Sequence, residues 1–135
     1  MKFIFILVII NVFTVSDLLA NESVYDSGFF EIKIVNQQIS NAKLREIEKV
    51  KILSLERILN NILTKENLRL LKKSINIDNE INPLFKNLII ENEFIYSNNY
   101  NALIKVNFDI GGIIDLLRRY KINYTDIKSD EILFV

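Results

Sequence analysis

Two alternating runs meet between Leu88 and Phe108, divided only by Ser97-Asn98-Asn99, and no other part of the chain restricts its folding so tightly. Apolar side chains at every second residue put one face of a strand indoors and the other in water, so the pair reads as a β-hairpin with one covered face. Because the side-chain period is two, the length of the loop decides which residues are covered. A loop of Asn98 and Asn99 alone sets Ala102 against Ile95 and puts Ile104 and Val106 on the face of Glu91 and Glu93. Burying two carboxylates without partners costs several kcal/mol each. A loop of all three residues instead pairs Phe94 with Ala102, Ile90 with Val106 and Leu88 with Phe108, sets Glu91 opposite Lys105 on the outside, and leaves Asn92 inside opposite Ile104. The three-residue loop is therefore expected, with Asn98 or Asn99 supplying the left-handed conformation.

The remaining elements follow from changes of period. After the turn-rich Tyr25-Asp26-Ser27-Gly28, residues Phe29 to Val35 alternate, with Phe30, Ile32 and Ile34 on one side and Glu31 and Lys33 on the other. From Ser40 to Leu63 the apolar residues Leu44, Ile47, Leu55, Ile58 and Ile62 return at three to four residue steps with no Gly or Pro, which predicts a long amphipathic helix. Val50 and Leu53 lie away from that stripe, and the next helical stretch is expected to cover them. Thr64 caps that second helix, whose apolar side is Leu68, Leu71 and Ile75 and whose last turn carries Lys72 and Lys73. A short third piece is expected with Asn82 as cap and Pro83 at the first helical position, ahead of Leu84, Phe85 and Leu88. Asp109 caps a helix with Ile110, Ile113, Ile114 and Leu117 on one face, and Glu131 to Val135 reads as a last strand. The order β-α-α-β-β-α-β predicts an α+β fold of the ferredoxin-like, split βαβ kind, with helices on one face of a small, mainly antiparallel sheet.

Ahead of all this stands an apolar run from Phe3 to Val15 behind Met1 and Lys2, followed by Ser16-Asp17-Leu18-Leu19-Ala20. A positive end, an apolar core and a small residue before a polar start have the layout of a secretory signal peptide, with cleavage after Ala20. The alternative is an inner-membrane anchor formed by residues 3–20, but Asp17 interrupts the roughly 20 apolar residues that a span needs. The expected division is a signal peptide over 1–20, a flexible lead-in over 21–28 and one domain over 29–135, placed in the periplasm. Composition narrows the chemistry. The chain has no Cys and no His, which removes thiol nucleophiles, imidazole bases and the usual zinc and haem ligands, so no cofactor is expected. Its 17 basic and 17 acidic residues cancel, leaving no overall field to hold a nucleic acid.

Several groups invite a functional reading. Glu91 and Glu93, on one expected face, invite an acid/base reading, but an ordinary solvated strand face beside Lys105 accounts for them better. Gly111-Gly112 at a helix start would let an anion approach, but Asp109 already holds that cap. Asp126, Asp130 and Glu131 offer oxygens to Ca²⁺ without the Gly and terminal Glu of a calcium loop. Arg118, Arg119 and Lys121 compensate a helix dipole and form a candidate contact for an anionic surface. Ile132, Leu133, Phe134 and Val135 form a candidate partner-pairing edge.

The string from Tyr100 to Asp109, followed by Leu116-Leu117-Arg118, resembles an exported proteobacterial family classed as a domain of unknown function, number two thousand and sixty-six. That family shows an aromatic, an alternating strand ending in Phe-Asp or Phe-Asn, and a helix carrying Leu-Leu-Arg. This chain departs from it in having Ile110-Gly111-Gly112 where a Pro usually follows the Phe-Asp. The resemblance spans about residues 29 to 135, implies that relatives continue past a strand like Ile132 to Val135, and brings no functional residue with it. Together these features predict a non-enzymatic envelope protein that contacts another envelope protein or itself through a strand edge. The alternatives are a truncated remnant of a longer protein and a carboxylate-dependent hydrolase.

Overall fold

The computed structural model describes residues 23–126. In chain order these form β1 (Phe30–Val35), α1 (Ile39–Ile62), α2 (Lys65–Ser74), α3 (Ile77–Leu84), β2 (Phe85–Tyr96), β3 (Asn99–Phe108) and α4 (Ile110–Arg119). The three strands make one sheet in the order β1-β3-β2, with β3 antiparallel to both neighbours. The fold is therefore mixed α+β, and β1 and β2 run parallel on either side of β3. The expected strand Glu131 to Val135 lies outside the described residues, as does the leader of residues 1–20.

β3 explains the core. Its even-numbered residues Tyr100, Ala102, Ile104, Val106 and Phe108 are all buried, while its odd-numbered residues face the other side and are less enclosed. In β1 the same alternation buries Ile32 and Ile34 beside Ala102 and Tyr100. α1 lies across this face and contributes Val50, Leu55, Ile58, Leu59 and Ile62 to the cluster. Three of its basic side chains reach over aromatic rings, one on each strand. Lys43 Nζ is 4.7 Å from the Tyr100 ring centre, Lys51 Nζ 4.6 Å from Phe85, and the Arg57 guanidinium 3.9 Å from Phe30. Each such contact contributes about 0.5–1 kcal/mol and leaves the charged head at the rim, so the helix is seated without burying a bare charge. Val50 is buried, but Leu53, expected to be covered with it, is half exposed, and Leu44, placed on the core stripe, points largely into water.

The caps show where local chemistry decides. Thr64 Oγ1 accepts from the Asn67 N–H at 3.2 Å, and Asp109 Oδ1 accepts from the Gly111 N–H at 3.1 Å, both as expected. The third helix departs from expectation. Asn76, not Asn82, caps it, with Oδ1 accepting from the Asp78 N–H at 3.1 Å, and Pro83 sits in the last turn. Ile77 and Ile81 are buried from that earlier start, and Phe85 belongs to the strand. Both signals fit the sequence, and the one that buries two isoleucines prevails. At its other end α4 closes with Lys121 at φ +56°, the Ile122 N–H bonded to Leu117 O at 2.9 Å and the Lys121 N–H to Arg118 O at 3.0 Å. This is a Schellman closure, in which Ile122 folds back into the core.

The hairpin differs most from its sequence reading. Its loop has two residues, Ser97 and Asn98, with Tyr96 paired to Asn99 and the positive φ at Ser97. Two irregularities then shift the register along β2. Lys86 is an extra residue between the pairs Phe85–Phe108 and Asn87–Asn107, while Asn92 and Glu93 together stand opposite Ala102. Asn92 takes φ +52°, as one residue of such a bulge often must. Between the bulges Leu88 pairs with Val106 and Ile90 with Ile104, so both face the core as expected but two positions out of the expected register. Beyond the second bulge the faces exchange. Phe94, expected inside against Ala102, pairs with Asn101 and turns outward, while Asn92 occupies the bulge rather than an inner position opposite Ile104.

Candidate functional site

The bulge places Glu91 and Glu93 on opposite faces, which undoes the carboxylate pair expected from their spacing. Glu91 stands opposite Leu103 on the open face and has no ion-pair partner among the described residues. Glu93 turns to the helical side, where α1 supplies Lys43. Its Oε1 lies 2.6 Å from Lys43 Nζ and accepts from Tyr100 Oη at 2.8 Å, while the same ammonium stands over the Tyr100 ring. The cost that argued against an inward carboxylate never arises, because the bulge leaves Glu93 at the rim and a residue fifty positions away meets its charge.

Electrostatics in this cluster favour the paired state of every member. The Lys43 ammonium, then the Tyr100 hydroxyl, hold the Glu93 carboxyl below the usual carboxylate range. The hydrogen bond to Glu93 raises Lys43, although its partial burial works the other way. Burial raises Tyr100 and the bond it donates to Glu93 adds to this, against the opposing influence of Lys43. Both ion-pair partners stay charged at neutral pH, and their contact joins α1 to the hairpin as a clasp.

Beside the clasp the outer half of β2 is open on both faces. Phe94, Ile95 and Tyr96 are 58%, 61% and 69% exposed, and Val35, across Asn99 from Tyr96, is exposed as well. β2 pairs only with β3, so its other edge carries backbone donors and acceptors with no strand opposite them among the described residues. This is a second edge beyond the one expected at Ile132, Leu133, Phe134 and Val135, which lie outside the described residues. The sequence shows Phe94 to Tyr96 as strand residues but not as exposed ones, since only the bulge takes Phe94 off the core face.

The other candidates resolve individually. Gly112 lies where a Cβ would come 2.9 Å from Leu84 Cδ2 and 3.2 Å from Asp109 Oδ2, so the second glycine serves the close approach of α3 and α4, and Asp109 occupies the helix start in place of an anion. Asp126 accepts a hydrogen bond from Tyr25 Oη, while Asp130 and Glu131 lie outside the described residues. No group of carboxylates able to hold a metal ion occurs among the described residues. The lead-in residues 23–28 make specific contacts: Lys105 Nζ meets Asp26 Oδ2 at 2.6 Å, Ser27 Oγ donates to Val106 O at 3.0 Å, and Arg57 Nη1 donates to Ser27 O at 2.7 Å. Burial works to raise the Asp26 carboxyl, but Lys105 and the Gly28 N–H outweigh it and hold it low. Arg118, Arg119 and Lys121 are all exposed around the end of α4, and Arg118 and Lys121 border an open cleft of ≈ 370 Å³ with Ile122, Asn123 and Tyr124. Comparison with protein-family models, curated proteins and solved structures gives no match to this chain.

Proposed function

We propose that the chain is an exported protein of a bacterial envelope, placed in the periplasm, that works through protein contacts rather than catalysis. The observation that carries this reading is the outer edge of β2, which has no strand opposite it among the described residues and where Phe94, Ile95 and Tyr96 stand exposed. An extended segment of another envelope protein, or β2 of a second copy, adds to such an edge by main-chain hydrogen bonds while alternate side chains set specificity. The apolar leader before Asn21 and the resemblance over Tyr100 to Asp109 support export. The separation of Glu91 from Glu93 speaks against the hydrolase alternative. The finer ferredoxin-like assignment rests on β1 and β2 lying parallel on either side of β3 with a helical crossover between them.

Two measurements test the reading. Expression of the full chain in a bacterium, followed by fractionation and intact-mass measurement, should yield a periplasmic species lacking residues 1–20, and an uncleaved cytosolic product overturns export. A photo-crosslinking residue in place of Ile95 should capture a partner in the envelope fraction, whereas the same residue in place of exposed Asn60 on α1 should not. Equal labelling from both positions, or from neither, removes the edge from the proposal.

A further inference from the structure

A second surface, independent of the strand edge, lies on α2. The close ion pairs of the described residues engage Lys33, Lys43, Lys49, Lys51, Lys72 and Lys105 at 2.6–2.9 Å. Lys65, Arg69 and Lys73 are exposed and have no carboxylate partner among the described residues. Their four-residue spacing sets them in one line along the helix, with Leu70, 42% exposed, beside them. Dipole compensation accounts for Lys73 in the last turn but not for Lys65, the first residue of α2, where a cation meets the positive end of the helix. Lys121 breaks a second local rule, since it holds the left-handed position that glycine usually fills. Arg118 and Arg119 flank it with Tyr120, 37% exposed, between them and Lys121. The end of α4 meets α2 on the side away from that line: Asn67 Nδ2 of α2 donates to Asn123 O, two residues past Lys121, at 2.9 Å. At Lys65 a local rule is broken in favour of positive charge, which marks a surface kept for something other than stability.

The partner follows from chemistry and shape. The chain is neutral overall, so attraction must come from a dense local array of negative charge rather than a long-range field. The cations stand on the outer side of a helix with an exposed leucine, Leu70, beside them, which suits a headgroup layer with acyl chains beneath it better than a single polyanionic strand. No helix among the described residues is long and apolar enough to cross a membrane, so the contact is with its surface. We propose that the outer face of α2, through Lys65, Arg69 and Lys73, rests on anionic phospholipid headgroups.

The test uses the full chain with vesicles of phosphatidylcholine alone and of phosphatidylcholine with phosphatidylglycerol in equal parts, measured by co-sedimentation. Any apolar insertion of the leader contributes to both, so the ratio of the two partition coefficients isolates the charge-dependent part. Wild type should prefer the anionic vesicles, and added salt should erase the preference. The variant Lys65→Gln/Arg69→Gln/Lys73→Gln should lose the preference by about a hundredfold, and Glu66→Gln should raise it by about fivefold. All four positions are exposed, and an unchanged thermal midpoint confirms that the variants fold. Equal partition of wild type, a retained preference in the triple variant, or salt-sensitive binding of an oligonucleotide through the same residues without any vesicle preference overturns the proposal.

Discussion

β3 and β2 lie side by side and carry the same kind of alternating sequence, yet one is regular and enclosed while the other is broken and open. β3 has a strand on each side and α1 across it, so a slip of one residue would turn Tyr100, Ile104 and Val106 into water and bring Asn101, Leu103 and Lys105 under the helix. β2 has one neighbour among the described residues, so its two bulges interrupt a single ladder, the one with β3. Alternation is therefore binding where both neighbours enforce it and negotiable where one side is vacant. Bulges and charges are the usual protection of an edge strand, and β2 carries both, with Glu91 on the open face and Lys86 in the first bulge.

Substitutions at matched positions measure this contrast, beginning with the largest effect. Ile104→Ala, at a fully buried site in β3, should destabilise by about 3 kcal/mol in urea denaturation, whereas Ile95→Ala in β2 should stay within about 0.5 kcal/mol. Similar losses at the two sites would show that the outer half of β2 is as enclosed as β3. Tyr100→Phe keeps the buried ring but removes the bond to Glu93, and a loss of about 1 kcal/mol is expected by the same measurement. Ser54 on α1 is fully buried and its hydroxyl has no hydrogen-bond partner among the described residues, so Ser54→Ala should raise stability by about 0.5 kcal/mol. A loss there would reveal a partner for the hydroxyl.

The smallest expected effect is a slope. Glu93 has a carboxyl held below its usual range, so its contribution is present above the unfolded-state value near 4.3 and disappears as pH falls through the lower folded value. Lys43, raised by the same contact, contributes fully below its unfolded-state value near 10.4 and loses that contribution as pH rises through the higher folded value. Glu93→Gln should therefore flatten the acid limb of the stability–pH curve below about pH 5 and leave the neutral plateau in shape. An unchanged acid limb would mean that the clasp is open in solution.

Much of the frame was legible. Thr64 and Asp109 stood out as caps because a cap bonds to an N–H two or three residues away, and α1 because Leu55, Ile58 and Ile62 recur at helical spacing. The third helix was misplaced because Asn76 and Asn82 are both good caps, and the choice depended on whether Ile77 and Ile81 found a core to enter. A regular ladder puts the hairpin's carboxylates on one face, and nothing around Asn92 announces a left-handed residue, Asn being common in this chain. The exposed tip of β2 follows from that residue, while the exposed basic residues of α2 were visible as letters but not as unpaired charges.

By itself the sequence determined the alternation of β1 and β3, the long amphipathic α1, two helix caps and the absence of thiol and imidazole chemistry, since each depends on residue type or on neighbours within a few positions. Only the tertiary structure decided which face Glu93 takes, which half of β2 stays open and which cations find partners. Those outcomes turn on Lys43, fifty residues from Glu93, and on the lack of a second strand beside β2 among the described residues. A charge can be held at the rim of the helical side when a distant element brings its counterion, and a strand can bulge when it is held flat by a neighbour on one side alone.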